Sequence, residues 1–296
     1  MTKPDAVTNV MTVDVEDYFH VSALANSISK DDWDSIAPRV EDNVRRLLDL
    51  FDQHQVKATH FVLGWVAERN RELVKEIAGR GHEVASHGYS HQLVYNQSPK
   101  VFEAETRDSK ALLEDIVGQP VRGYRAASYS ITRKSLWALD ILAELGFGYD
   151  SSIFPVIHDR YGIKGSPVYP HLLETPGGAK MVEFPLSTVR YFNQTLPVAG
   201  GGYFRLYPYP LSRHFYRKIN GSGHSFVFYL HPWEIDPGQP RVKANWLSTF
   251  RHYNNLDQCY GRLSNLLEDF SFTTMNEKLS NMELFDQSAE VTVQYA

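Results

Sequence analysis

The chain reads as an α/β protein, and three observations predict that class. Short β-branched or apolar runs alternate with segments of helical period across the first two-thirds of the sequence, the order that builds a parallel sheet. The helical segments carry their apolar residues on one stripe, as helices that cover a sheet must. Acids, histidines and an arginine recur at the downstream ends of the predicted strands, where parallel sheets gather their sites.

Taken in order, Val10 to Val15 is a short β-branched strand that runs into three acids. Pro38 opens a helix with Val40, Val44, Leu47, Leu48 and Phe51 on one face. Residues 58–64 form a buried strand ended by glycine, and Asn70 caps a helix through Leu73, Val74 and Ile77. A third strand covers 82–86. Ser98-Pro99 starts a helix that stops at Gly118, and a fourth strand spans 121–125. Thr132 caps a helix running to Gly146, and 147–150 is a fifth strand. Such units predict a β/α barrel or a doubly wound sheet. Residues 155–222 are less regular: a strand at 181–186, a flexible loop at 199–203 and a short helix at 210–219. Regularity returns with a strand at 224–230, a helix at 255–270 and a strand at 271–274. The expectation is one catalytic domain over 1–280 with an irregular insertion at about 155–222, and a flexible tail at 281–296.

Composition narrows the function. The net charge is −5 and no Lys/Arg block occurs, which argues against nucleic acid as partner. One cysteine excludes a disulfide framework and a thiolate zinc knuckle. The longest apolar run, Phe226 to Leu230, is far short of the ~20 residues of a membrane span, so no transmembrane segment is expected. Met1 to Asn9 contains an acid and no signal-type apolar core, which predicts a cytoplasmic protein. Twelve histidines, five Trp, seventeen Tyr and sixteen Phe point instead to a small-molecule or sugar site.

The strand ends supply the chemistry. Asp14, Glu16 and Asp17 follow the first strand, His87 and His91 the third, Arg125 the fourth, Asp150 the fifth and His231 the late one. Two imidazoles four apart would meet one ion across a helical turn, although with this many histidines the spacing also arises by chance. Two histidines and a carboxylate are a common set for a divalent ion with open positions for water and substrate. Three crowded acids need a cation or an arginine nearby. Taken singly, His231, Arg125 and Asp150 read equally well as structural groups.

The segments Thr12 to Asp17, Lys57 to Gly64 and Gly81 to His91, followed by Arg125, Tyr149 to Ser152 and Leu230-His231, resemble a polysaccharide deacetylase of carbohydrate esterase family 4, the chitin-oligosaccharide deacetylase homology domain. The opening Val-Asp-Val-Glu-Asp-Tyr-Phe is similar to the branch associated with exopolysaccharide and exosortase gene clusters. The resemblance implies a distorted, incomplete (β/α) barrel and metal-dependent N-deacetylation of an N-acetylated sugar in a polysaccharide or its precursor; the expected cytoplasmic setting makes a lipid- or nucleotide-linked precursor the more accessible substrate. It implies that His87 and His91 bind the metal, most simply zinc, with one acid of the first motif. It further implies that another acid is the base, that Arg125 orients it, and that His231, polarised by Asp150, protonates the leaving amine. The family norm is two adjacent aspartates and a glycine; here Asp14, Glu16 and Asp17 precede Tyr18. Asp14 and Glu16 share one strand face, so either can serve as base or ligand, and alignment with the second acid of the norm makes Asp17 the expected ligand. Arg125 to Tyr129 lacks the usual proline. Tyr18, Phe19, Tyr89, Tyr129, Phe154 and Trp233, near the strand ends, suit stacking on sugar rings and read at least as well as loop anchors. Hydrolysis of a cyclic amide, as in allantoinase-like relatives, and a non-catalytic sugar-binding role are the alternatives.

Overall fold

Alternation along the first strand sets the architecture. In the computed structural model, which describes residues 7–158, 160–191, 194–285 and 290–295, β1 (Thr8–Val15) is buried from Asn9 onward. Met11, Val13 and Val15 face outward into the main core, shared with α1 (Val40–Gln53). Thr12 and Asp14 take the opposite face, the one that Val10 shares with Phe61, Ala85 and Tyr149 of neighbouring strands. The parallel sheet continues through β2 (Thr59–Val62) and β3 (Glu83–Ser86), then β4 (Gly123–Tyr124) and β5 (Tyr149–Asp150). Between these strands lie α2 (Gly64–Arg69), α3 (Arg71–Gly79), α4 (Pro99–Val117) and α5 (Trp137–Glu144). The α4 helix begins and ends on the predicted signals, a Ser98 cap and a left-handed Gly118. The α2 helix was not expected; the glycine read as the end of a strand instead starts a helical turn, and Asn70 divides α2 from α3.

The region expected to be irregular is built of short elements. β6 (His171–Glu174) pairs antiparallel with β7 (Lys180–Glu183), which joins β5, while β8 (Thr188–Tyr191) and β9 (Gln194–Pro197) form a separate hairpin. α6 (Gly201–Leu206) occupies the stretch expected as a flexible loop, and α7 (Tyr209–Gly221) follows it. β10 (Val227–Leu230) returns to pair with β1. α8 (Trp246–Tyr253), capped by Asn245, had no counterpart in the sequence reading. α9 (Leu256–Asp269), β11 (Ser271–Thr273) and α10 (Met275–Asn281) follow. Within the stretch expected as a flexible tail, β12 (Val293–Gln294) pairs with β6; residues 286–289 and 296 lie outside the described residues.

The sheet runs β10-β1-β2-β3-β4-β5-β7-β6-β12, with β11 on β1. Among the described residues its two ends do not pair, so the barrel is incomplete, and Gly200 bridges only to Tyr229 of β10. Because β1 to β5 and β10 run parallel, their carboxyl ends open on one face, and the expected site residues lie there.

Candidate active site

Arg125 organises this face. It is fully buried just after β4, where an unpaired charge is costly. Its guanidinium donates to Asp14 Oδ1 at 2.7 Å, Thr12 Oγ1 at 2.8 Å, Ser151 Oγ at 3.0 Å and the Ser151 carbonyl at 3.2 Å. It also lies 4.1 Å over the ring of Phe61. Asp14 is thereby fixed at the end of β1, and Tyr129 contributes a long hydroxyl contact of 3.5 Å to its other oxygen.

The two histidines meet by a route different from a helical turn. His87 follows β3 directly, and the chain then reverses through Gly88 at φ 72° and His91 at φ 51°. Glycine adopts that region freely; His91 does so at a cost that the packed surroundings offset. The first amides of α2 hold the turn, Gly64 N–H to the Gly88 carbonyl at 2.8 Å and Trp65 N–H to the Tyr89 carbonyl at 3.0 Å. The imidazole centroids come to 5.4 Å.

The carboxylate that joins them is Glu16. One ligand atom each from Glu16, His87 and His91 lies within 4.8 Å of the others, and all three residues are buried. His87 Nδ1 faces the Arg125 carbonyl at 2.8 Å, which fixes the tautomer and leaves Nε2 as a bare donor. Burial lowers the His87 pKa to about 4, so the ring is neutral as a ligand must be. Glu16 Oε2 lies 2.8 Å from His91 Nε2, without the geometry of a hydrogen bond, so that the two ligand atoms sit side by side. Burial raises the Glu16 pKa, but His91 and then His231 and His87 outweigh it and hold the carboxyl well below the usual range. Two imidazoles and a carboxylate with an orphaned oxygen fit a divalent ion.

Asp17, the expected ligand, is turned elsewhere. Its carboxylate accepts from the backbone N–H groups of Tyr18 at 2.8 Å, Arg39 at 2.5 Å and Val40 at 2.8 Å. It caps a turn and the start of α1, because strand alternation sends it to the face opposite Glu16.

His231 follows β10 and closes the ring of groups. Its Nε2 is 3.4 Å from Glu16 Oε1 and 4.0 Å from Asp14 Oδ2. The expected partner Asp150 is not beside it: Asp150 accepts from Ser152 Oγ at 2.5 Å and Ser152 N–H at 3.1 Å, and Glu183 is its register partner on β7. The carboxylate facing His231 Nδ1 belongs to Glu234, at 3.6 Å. Burial alone would lower the His231 pKa; Glu234, with Glu16 and Asp14, pushes it up to about 9. Glu234 is held in turn by buried Arg205 at 3.3 Å, and His231 stacks on Trp233 with ring centroids 5.0 Å apart. The i, i+3 spacing of His231 and Glu234 over a proline-led turn was the available signal for Glu234. Arg205, distant in sequence, had none.

Asp14, Glu16, His87, His91 and His231 line one cavity of about 400 Å³. Of the expected aromatics, Tyr129 and Trp233 reach it, joined by Tyr161, Tyr203, Tyr229 and Phe250. Tyr18 and Phe19 are packed in a side core, Phe154 is fully buried, and Tyr89 donates to Glu68 outside the cavity.

Residues 29–149 match the polysaccharide deacetylase family, and residues 151–280 match a domain of unknown function, DUF3473. The site draws on both regions and on β1 before them. A peptidoglycan deacetylase of Helicobacter pylori is 34% identical over 113 residues, 38% of this chain and 38% of that protein. A chitooligosaccharide deacetylase of a Bradyrhizobium strain is 30% identical over 97 residues, 33% of this chain and 42% of that protein. The chain thus spans less than half the length of either relative. Among solved structures, a presumed polysaccharide deacetylase of Mycobacterium smegmatis aligns with TM-score 0.62 at 19% identity, over 96% of this chain and 93% of that one. Puue allantoinase aligns with TM-score 0.63 at 14% identity, over 97% and 96%. Both show the fold alone. Incomplete barrel, strand-end site and matched region agree: the chain carries a polysaccharide deacetylase domain over residues 29–149.

Proposed function

We propose that the protein is a metal-dependent hydrolase that removes acetyl from an N-acetylated sugar in a polysaccharide or its precursor. The observation that carries this reading is the convergence of Glu16, His87 and His91 opposite the Asp14–Arg125 pair and His231 in one cavity. A divalent ion held by the first three would polarise the acetamide carbonyl and acidify water. Zinc suits that donor set, although other divalent ions accept it. Asp14, immobilised by Arg125, accepts the proton of the attacking water. His231, oriented by Glu234, which Arg205 holds, and by the Trp233 face, returns a proton to the departing amine. Asp17 and Asp150 act on position only, through α1 and the β5 turn. The aromatic walls suit stacking on sugar rings.

The opening motif supports a role in exopolysaccharide synthesis, with a lipid- or nucleotide-linked sugar as substrate. A lone buried thiol at Cys259 is in keeping with a cytoplasmic setting. No helix among the described residues is long and apolar enough to cross a membrane.

The test is acetate release from N-acetylated chitooligosaccharides and peptidoglycan fragments, before and after chelation and on restoring zinc. The expected result is chelator-sensitive release that falls at least ~10²-fold in Asp14→Asn and His231→Ala. Turnover of a cyclic amide alone, surviving chelation, would overturn the reading, as would sugar binding with neither metal nor turnover.

A further inference from the structure

Beside the cavity lie apolar side chains that are exposed among the described residues. On α8, Trp246 is 79% exposed, and Phe250 follows one turn later at 48%, with Leu247 beside them. Phe250 and Leu206, itself 47% exposed, line the cavity on that side. Ile157 is 77% exposed and immediately precedes His158, another lining residue. A soluble domain ordinarily scatters such residues singly; here they gather at one entrance.

The charge of the same segment points to one class of partner. Between Asp236 and Asp257 there is no acid, while Arg241, Lys243 and Arg251 are all exposed, in a chain of net charge −5. Among the described residues none of the three cations sits in an ion pair. Exposed Trp and Phe flanked by Lys and Arg match the boundary between anionic headgroups and acyl chains. A second copy of the chain fits less well, since a symmetric pairing on this patch would bring the same cations against each other. The patch is also tied rigidly to the site. Arg205 donates to the carbonyls of Arg251 at 3.0 Å, His252 at 3.1 Å and Asn254 at 2.5 Å at the end of α8, and to Glu234 beside His231.

We infer that α8 and its rim dock on an anionic phospholipid surface, holding the cavity mouth at the bilayer so that a lipid-anchored sugar can enter from it. The docking is independent of the reaction; only its consequence for substrate entry rests on the deacetylase reading.

The experiment is flotation of the full chain with vesicles of phosphatidylcholine alone or mixed with phosphatidylglycerol. Binding is expected on the anionic vesicles and not on the neutral ones, weakening with salt. Trp246→Ser combined with Leu247→Ser should reduce it at least tenfold, and Arg241→Glu with Lys243→Glu should do the same with the apolar ridge intact. Folding of each variant is checked by its melting temperature. Acetate release from a water-soluble oligosaccharide should be unchanged in the Trp246/Leu247 variant. Absence of binding to anionic vesicles overturns the inference. So does binding that survives the Trp246/Leu247 change, or a concentration-dependent dimer that the same change abolishes. Vesicle binding without hydrolysis of any sugar would leave the docking standing and remove the deacetylase reading alone.

Discussion

Three acids within four positions take two different directions because side chains alternate along an extended chain. Asp14 and Glu16 point into the cavity, and Asp17 points away to collect three backbone amides. The two directions separate experimentally. Asp17→Ala removes an acceptor shared by a turn and by α1, and should lower stability by about 2 kcal/mol with bound metal unaffected. Glu16→Gln should leave the fold intact and sharply reduce metal content after dialysis. Elemental analysis beside urea denaturation reads both; metal loss in the Asp17 variant and retention in the Glu16 variant would reverse the assignment.

At the scale of elements, glycine and short registers decide where side chains fit. A Cβ on Gly201 would stand 1.5 Å from Glu234 Oε2, whereas one on Gly202 meets nothing within 4 Å. Gly201→Ala should therefore displace Glu234 from His231 and slow turnover ~10–100-fold, with Gly261→Ala on α9, where an added Cβ also meets nothing within 4 Å, as the silent control in the same kinetic assay. The parallel pairing of β5 with β7 sets Asp150 against Glu183, both fully buried. Burial first, and then their mutual repulsion, raises the pKa of Glu183; burial likewise raises that of Asp150. An acid whose folded pKa is raised contributes most while it holds its proton, so this pair's contribution falls as pH rises above the ordinary carboxylate range. Glu183→Gln should flatten the loss of stability between about pH 5 and pH 8, measured from urea midpoints at both. An unchanged slope would mean that the pair is not what titrates.

For the whole molecule, the proposed ion ligands come from just after β1 and from the turn after β3, with His231 and Glu234 arriving more than 130 residues later beside β10. Anything binding this assembled site and not the unfolded chain stabilises the fold. At a hundredfold excess over its Kd, a divalent ion should add about 3 kcal/mol, a melting-point rise of several degrees for a chain of this size. Chelation should reverse the rise, and His87→Ala with His91→Ala should abolish it in a thermal-shift titration. A rise that persists in that double variant would locate the ion elsewhere.

The residue order by itself pointed to the α/β class, to the strand ends as the candidate site, and to Asp14, Glu16, His87, His91, Arg125 and His231 among its candidate members. Those conclusions rest on local patterns, apolar period and strand-end position, that a chain carries in its order. Only the tertiary structure decided that Glu16 and not Asp17 meets the histidines, that Glu234 and not Asp150 faces His231, and that Arg205 and the 155–222 region build one wall. It also decided that position 201 has room only for glycine, since the need for space there is created by a carboxylate from a distant turn. The physical reason is the same in each case: sequence fixes which face a side chain takes, while its partner across the cavity depends on how separate strands are brought together.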